Sequence, residues 1–214
     1  MGSRIMHVII AHHIAEQLSL EDRSAFLFGS IAPDAVTTKN ESHFFTGDHQ
    51  DGSRSIDYRG FLYKYSRLTE HPYIWGYFTH LIADDLWLKG FYLSWLRNRM
   101  DANQEFYNLY HNDFRLLNGK LLEYYGITDD LRATLNGRSS LTAITEVAPS
   151  DVEAMLPDVL GDMEYDEHAI HEKLQVFTLE QIIGYIETSI ELGVLNMKQA
   201  ALLYPNSMRK MQKI

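Results

Sequence analysis

Gly76-Tyr77-Phe78-Thr79-His80-Leu81-Ile82-Ala83-Asp84-Asp85-Leu86-Trp87 is an apolar run that carries an imidazole and a carboxylate four residues apart. On a helix such residues stack on one face with Cβ atoms roughly 6 Å apart, so His80 and Asp84 can aim at a common point. At about 3.6 residues per turn, Trp87, Tyr73, Gly76 and Tyr77 return to nearly the same azimuth. The polar pair therefore sits in an aromatic stripe of a helix that starts at Pro72, a residue favoured in a first turn. This is metal-ligand spacing. It is also the spacing of a core histidine satisfied by a helix carboxylate, because buried polar groups need partners in any case.

Working outward, the next polar cluster lies upstream, in Gly29-Ser30-Ile31-Ala32-Pro33-Asp34 and in Ser42-His43-Phe44-Phe45. Pro33 pushes Ala32 toward extended backbone. Thr37, Thr38, Lys39, Asn40, Gly47 and Gly52 mark a long connection over about residues 30–52. Loops of that length inside a compact domain are usually functional. Taken singly, Asp34 reads as a turn carboxylate and His43 as an exposed loop residue.

Taken in order, Met6-His7-Val8-Ile9-Ile10-Ala11, the Gly-Ser-Ile-Ala-Pro-Asp run ending at Asp34, Ser-His-Phe around His43, and Gly-Tyr-Phe-Thr-His-x-x-x-Asp at His80 and Asp84 resemble the zinc-dependent phospholipase C family. The resemblance spans about residues 5–90 and is closest to small intracellular bacterial members. It implies an all-helical fold and a cleft lined by zinc ions. Carried over by motif, Asp34, His43, His80 and Asp84 would hold the first metal. His7 would help hold another, with Asp84 as the bridging carboxylate.

The pattern departs from the family in two places. In its secreted enzymes the mature amino terminus is itself a zinc ligand, whereas this sequence opens at Met1. The family's remaining site needs a histidine shortly after the His-x-x-x-Asp element, where Lys89, Gly90 and Phe91 stand here. The substitutes to weigh are His111 with Asp113, and His168 with His171 and Glu172, the second at helical ligand spacing. Exposed residues on a solvated helix face account for both sets equally.

Composition bounds the rest. A chain of 214 residues that is 45% hydrophobic can bury a substantial core as one domain, so residues 1–214 are read as a single helical bundle. The formal charge of -10 disfavours nucleic acid and anionic membrane as default partners, although a bound divalent ion can reverse the sign locally. There are no cysteines, so metal ligands must be nitrogen or oxygen. Zn2+ leads on the resemblance, and other divalent transition metals suit the same donors. Met6–Ala11 reads as a helix and not a signal peptide, and no run approaches the roughly eighteen apolar residues of a membrane span. A cytoplasmic location without stable membrane insertion is the expectation; the oligomeric state stays open.

Apolar periodicity places helices over about 5–18, from Asp22 toward Phe28, over Tyr58–Leu68, from Pro72 to about Arg99, and from Phe106 to Gly126, with a short one near Thr128. Residues 136–149 read as a loop, and the acidic stretch that follows as a solvated face. Leu179 to Leu195, capped by Thr178, reads as an apolar helix at the centre of the bundle. The basic tail with Arg209, Lys210 and Lys213 reads as a frayed terminus.

Two imidazoles and two carboxylates around a divalent ion can leave a position for water, lower its pKa and polarise a phosphoryl oxygen. The expected function is therefore phosphoester hydrolysis on a small or phospholipid-like substrate, with Asp34 orienting or deprotonating the water. The alternatives are a metal-binding protein that keeps one site without catalysis, and a helical interaction module. Adjacent His-Asp, the mark of HD-type phosphohydrolases, does not occur in the chain. Trp75, Tyr77, Trp87 and Tyr92 could wall a substrate pocket, or be plain core. His12 and His13 fall about 140° and 120° from His7 on a helical wheel and are left out of its site. His49 reads as exposed and His71 as a helix start.

Overall fold

The computed structural model describes residues 3–48, 51–137 and 139–204. His49 and the basic tail lie outside the described residues. The fold is all-α. Its helices are α1 (Arg4–Gln17), α2 (Arg23–Ile31), α3 (Lys39–Ser42), α4 (Tyr58–Lys64), α5 (Pro72–Trp87), α6 (Arg97–Ala102), α7 (Gln104–Tyr125), α8 (Thr128–Leu135), α9 (Pro149–Gly161), α10 (Glu167–His171) and α11 (Leu179–Leu203). One apolar core runs from Ile5 to Ala200.

Local chemistry sets the starts of these helices. Ser3 caps α1 through a bond from the Met6 amide, Asp22 caps α2 through Ala25, and Thr178 with Gln181 forms a reciprocal capping box on α11. Such caps satisfy amides that have no partner in the first turn. Pro72 occupies the first turn of α5, preceded by His71.

The centre of the bundle is α5, not α11. Fourteen of the 16 residues of α5 are buried, and α1, α2, α4 and α11 all pack on it. In α11 one stripe (Ile182, Tyr185, Ile186, Ser189, Ile190, Gly193, Met197) faces the core, while Leu195 on the other side is half exposed. A helix whose apolar residues form one stripe belongs at the periphery; one apolar all round belongs inside.

Packing of α2 against α5 depends on two glycines. A Cβ at Gly76 would lie 1.9 Å from the Phe26 carbonyl oxygen, and one at Gly29 would lie 2.0 Å from that of Tyr73. The two backbones approach where neither carries a side chain, which brings the end of α2 onto His80.

The connection over residues 30–52 is more ordered than its composition suggests. Ala32–Ala35 form a 3-10 turn, α3 follows, and Phe45–Thr46 pair antiparallel with Ser55–Ile56. Phe44, directly after His43, takes a left-handed φ of 51°, which costs a non-glycine residue roughly 1–2 kcal/mol. Its ring packs on Phe61 at 5.2 Å between centroids, an offsetting contact. Beyond α5 the chain continues helically but widens to a π-helix over Leu88–Leu96 before α6. There the Ser94 hydroxyl bonds the Lys89 carbonyl five residues back. The acidic stretch supplies α9 and α10, and one member, Asp162, leaves the solvated face to hold Arg4 at 2.8 Å. Among the described residues no helix is long and apolar enough to cross a membrane.

Candidate metal centre

The structure brings together five residues from four parts of the chain. His7 comes from α1, Asp34 from the 3-10 turn after α2, His43 from the end of α3, and His80 with Asp84 from α5. His43 Nε2 lies 3.5 Å from Asp34 Oδ1 and 3.3 Å from Asp84 Oδ2. His80 Nε2 lies 3.5 Å from Asp84 Oδ2 and 3.3 Å from His43 Nε2. Donors bound at about 2.0–2.2 Å to one tetrahedral ion are separated by roughly 3.3–3.6 Å. All four measured separations fall in that range.

The proton positions make the case stronger. His80 Nδ1 is 2.7 Å from the Ser30 carbonyl oxygen, which can only accept, so Nδ1 carries a proton and the lone pair of the neutral ring is on Nε2. Ser42 Oγ donates to the Pro33 carbonyl at 2.9 Å and lies 3.0 Å from His43 Nδ1. Its single proton being spent on Pro33, it accepts from His43 Nδ1–H. His43 Nε2 is therefore also unprotonated. Two buried lone pairs face each other at 3.3 Å, an arrangement stabilised by a cation between them. Tyr77 fixes the orienting residue in turn by donating its hydroxyl to the Ser42 carbonyl.

His7 supplies the second position. Its ring stacks on His80 at 3.7 Å between centroids, and Nε2 lies 3.4 Å from Asp84 Oδ1. Neither ring nitrogen makes a hydrogen bond although the side chain is buried. Burial and the neighbouring His80 lower its pKa to about 4, so it is neutral at pH 7 with a lone pair available. Asp84 thus turns one oxygen to His7 and the other to His43 and His80, the disposition of a bridging carboxylate. Because Nδ1 of His80 is taken by Ser30, His80 serves one ion only. Among the described residues the position beside His7 has two protein donors.

Charge follows the same pattern. Burial is the largest influence on Asp34 and Asp84 and would raise both, yet both lie well below the usual carboxylate range, pulled down in part by His43 and His80 at Asp34 and by His80 and His7 at Asp84. Burial lowers His43 against the opposing pull of Asp34 and Asp84. The centre therefore offers ionised oxygens and, at His7 and His43, imidazoles that burial disfavours in the charged form, the protonation states a divalent ion needs.

Four of the five residues are buried; Asp34 retains 14% of its side-chain exposure. It lines a cleft of about 540 Å³ with Arg4, Lys39, Tyr110, Phe114 and Arg115. Lys39 Nζ reaches Asp34 Oδ1 at 2.9 Å and its carbonyl at 3.0 Å. Asp34 is thus the donor at the mouth.

The substitutes for a third site do not assemble. Asp113 is buried, and its carboxylate accepts from the amides of Gln175, Val176 and Phe177, so it caps a turn and cannot serve a metal with exposed His111. His168 and His171 lie exposed on α10, and Glu172 falls beyond its end in extended backbone, which breaks the helical ligand spacing. Trp75, Tyr77 and Trp87 are fully buried core; only Tyr92 is partly exposed. His12 and His13 point away from the centre, as the helical wheel requires. The sequence does not reveal the orienting roles of Ser30, Ser42 and Tyr77. Ser42 carried a signal, a hydroxyl next to a candidate ligand; a backbone carbonyl such as that of Ser30 carries none.

Residues 6–87 match the family model described as zinc dependent phospholipase C. The matched stretch contains all five residues of the centre. No curated protein and no solved structure matches the chain.

Proposed function

We propose that this metal-dependent, phospholipase C-like protein, whose residues 6–87 match the zinc dependent phospholipase C family model, hydrolyses phosphoesters, with zinc held by Asp34, His43, His80 and Asp84. The observation that carries the reading is the pair of imidazole Nε2 atoms 3.3 Å apart beside two carboxylates, each ring having its Nδ1 on an outer hydrogen-bond partner. Zinc bound there supplies Lewis acidity toward a phosphoryl oxygen and a water of lowered pKa.

The chain's own residues do the rest. Asp34, the donor at the cleft, would orient the attacking water by accepting its hydrogen bond. Lys39 holds Asp34 in place and keeps it ionised by charge. His43 and His80, locked as Nδ1–H tautomers by Ser42 and Ser30, keep Nε2 available. Asp84 fixes the spacing between the first position and the one beside His7. Arg4, Lys39 and Arg115 in the cleft outnumber Asp34 and Asp162, a balance that favours an anionic substrate, while Tyr110 and Phe114 give it an apolar wall. A small phosphoester or a phospholipid-like molecule meets both demands.

The two-donor position beside His7 favours one alternative, a protein that keeps one ion without hydrolysis. Metal content after purification without chelator or polyhistidine tag, followed by a panel of phosphomonoesters and phosphodiesters, separates the two. Hydrolysis that rises with added zinc and disappears in Asp34→Asn and Asp84→Asn, with circular dichroism unchanged, supports the enzyme. A stoichiometric ion without turnover on the whole panel supports the alternative.

A further inference from the structure

Beyond His7 on α1, on the other side of the helix, lie His12, His13 and Glu16. Each offers a donor atom within 4.8 Å of the others. His12 Nε2 is 3.3 Å from Glu16 Oε2, and His13 Nδ1 is 3.8 Å from the same oxygen. The first separation already suits two ligands of one tetrahedral ion. The second closes by a small movement of Glu16, whose side chain is half exposed and so free to change rotamer. His12 is anchored: its side chain is 2% exposed.

Behind the His12 ring stands the carboxylate of Asp130 on α8, with Oδ2 3.5 Å from Nδ1. Arg23 Nη2 bridges the two, 2.9 Å from His12 Nδ1 and 2.9 Å from Asp130 Oδ2. A guanidinium only donates, so without metal His12 Nδ1 accepts and the ring proton sits on Nε2, facing Glu16. A metal on Nε2 requires the proton to move to Nδ1 and Arg23 to give up its bond to that nitrogen, so that Asp130, 3.5 Å away, accepts from Nδ1–H instead. Arg23 keeps its bond to Asp130 and lies 3.9 Å from Glu16 Oε1. A carboxylate behind a ligating histidine is the usual support for such a ring.

We propose that His12, His13 and Glu16 form a second divalent-metal site, open to solvent and independent of the central one, with Asp130 orienting the His12 ring. Three protein donors leave a position for water, and the exposure of Glu16 makes exchange with solvent easier than at the buried centre. An ion there ties α1 to α8, with Asp130 outside the stretch matched by the family model.

The test is a zinc titration of metal-stripped protein against a chromophoric chelator. His12 is buried and bonded to Arg23, so the variants are the more exposed His13→Ala and Glu16→Gln, together with Asp84→Asn for the central site. We expect a tight and a weaker class of zinc in the unmodified chain. Each α1 variant should weaken the weaker class by about tenfold or more while leaving the tight class alone, and Asp84→Asn should do the reverse. If His13→Ala and Glu16→Gln bind as much zinc as the unmodified chain within about threefold in affinity, or if Asp84→Asn removes every bound zinc, the site does not exist.

Discussion

Replacing Ser42 by alanine tests the tautomer argument on which the metal centre rests. Ser42 is fully buried, and its hydroxyl satisfies two groups at once: it donates to Pro33 O at 2.9 Å and accepts from His43 Nδ1 at 3.0 Å. Ser42→Ala leaves a buried carbonyl and a buried N–H without this partner, a loss of about 1–3 kcal/mol in the stability of the metal-free protein. It also frees His43 to carry its proton on Nε2, 3.3 Å from Asp84 Oδ2, where that proton bonds the carboxylate and competes with metal. Removal of such an orienting partner costs typically 10- to 100-fold in metal affinity, or about 1.4–2.7 kcal/mol. The assay is competition for zinc against a chelator of known affinity, with urea unfolding of the metal-free protein alongside. Ser189→Ala is the control, because Ser189 is also buried and bonds a backbone carbonyl (Tyr185 O, 2.7 Å) but lies on α11, which supplies none of the five residues of the centre. It should lose stability without losing zinc affinity. If Ser42→Ala binds zinc within about threefold of the unmodified chain, or no more weakly than Ser189→Ala, the proton assignment at His43 is wrong.

Three further outcomes follow from the geometry. Gly76→Ala forces a Cβ to within 1.9 Å of Phe26 O, so α2 must retreat from α5; we expect a loss of about 1–3 kcal/mol in urea unfolding together with weaker zinc binding, and an unchanged unfolding midpoint would show that the helices are not in contact there. The folded pKa of His7 is lowered to about 4 against an unfolded value of about 6.5, so the unfolded chain binds the extra proton between those values. The stability this group contributes to the metal-free protein is complete above about pH 6.5 and is lost as pH falls toward 4; His7→Gln should flatten the dependence of the urea midpoint on pH in this window, and an unaltered slope would count against a neutral His7. Chelation should lower the melting temperature, because it leaves ionised Asp34 and Asp84 among imidazoles without their ion, and readdition of zinc should restore it; equal melting curves with and without chelator would argue that the cluster holds no metal.

The sequence carried the helical class, most helix starts and the His80–Asp84 pair without help, because each depends on neighbours along the chain. Four-residue spacing, an apolar run and a capping side chain are local properties, and the structure keeps them: Pro72 opens α5, Asp22 caps α2 and Thr178 caps α11. The motif order also pointed to Asp34, His43 and His7, but by resemblance, since nothing in the spacing of three residues in separate segments says that they meet. The same local reading failed where burial decides the outcome. It put α11 at the centre on apolar content alone, and it offered Asp113 to a metal when three amides of a distant turn already claim its oxygens.

What only the tertiary structure decided is the convergence and the protonation. His7, Asp34, His43 and the α5 pair meet because Gly29 and Gly76 let two backbones touch, and because the left-handed turn at Phe44 follows His43 as the chain reverses. The imidazoles face inward with bare nitrogens because a carbonyl at residue 30 and a hydroxyl at residue 42 take the other ring protons. Periodicity is written along the chain, but a hydrogen bond between residues 30 and 80 exists only after two helices have docked, and the ligand's proton is set by that bond.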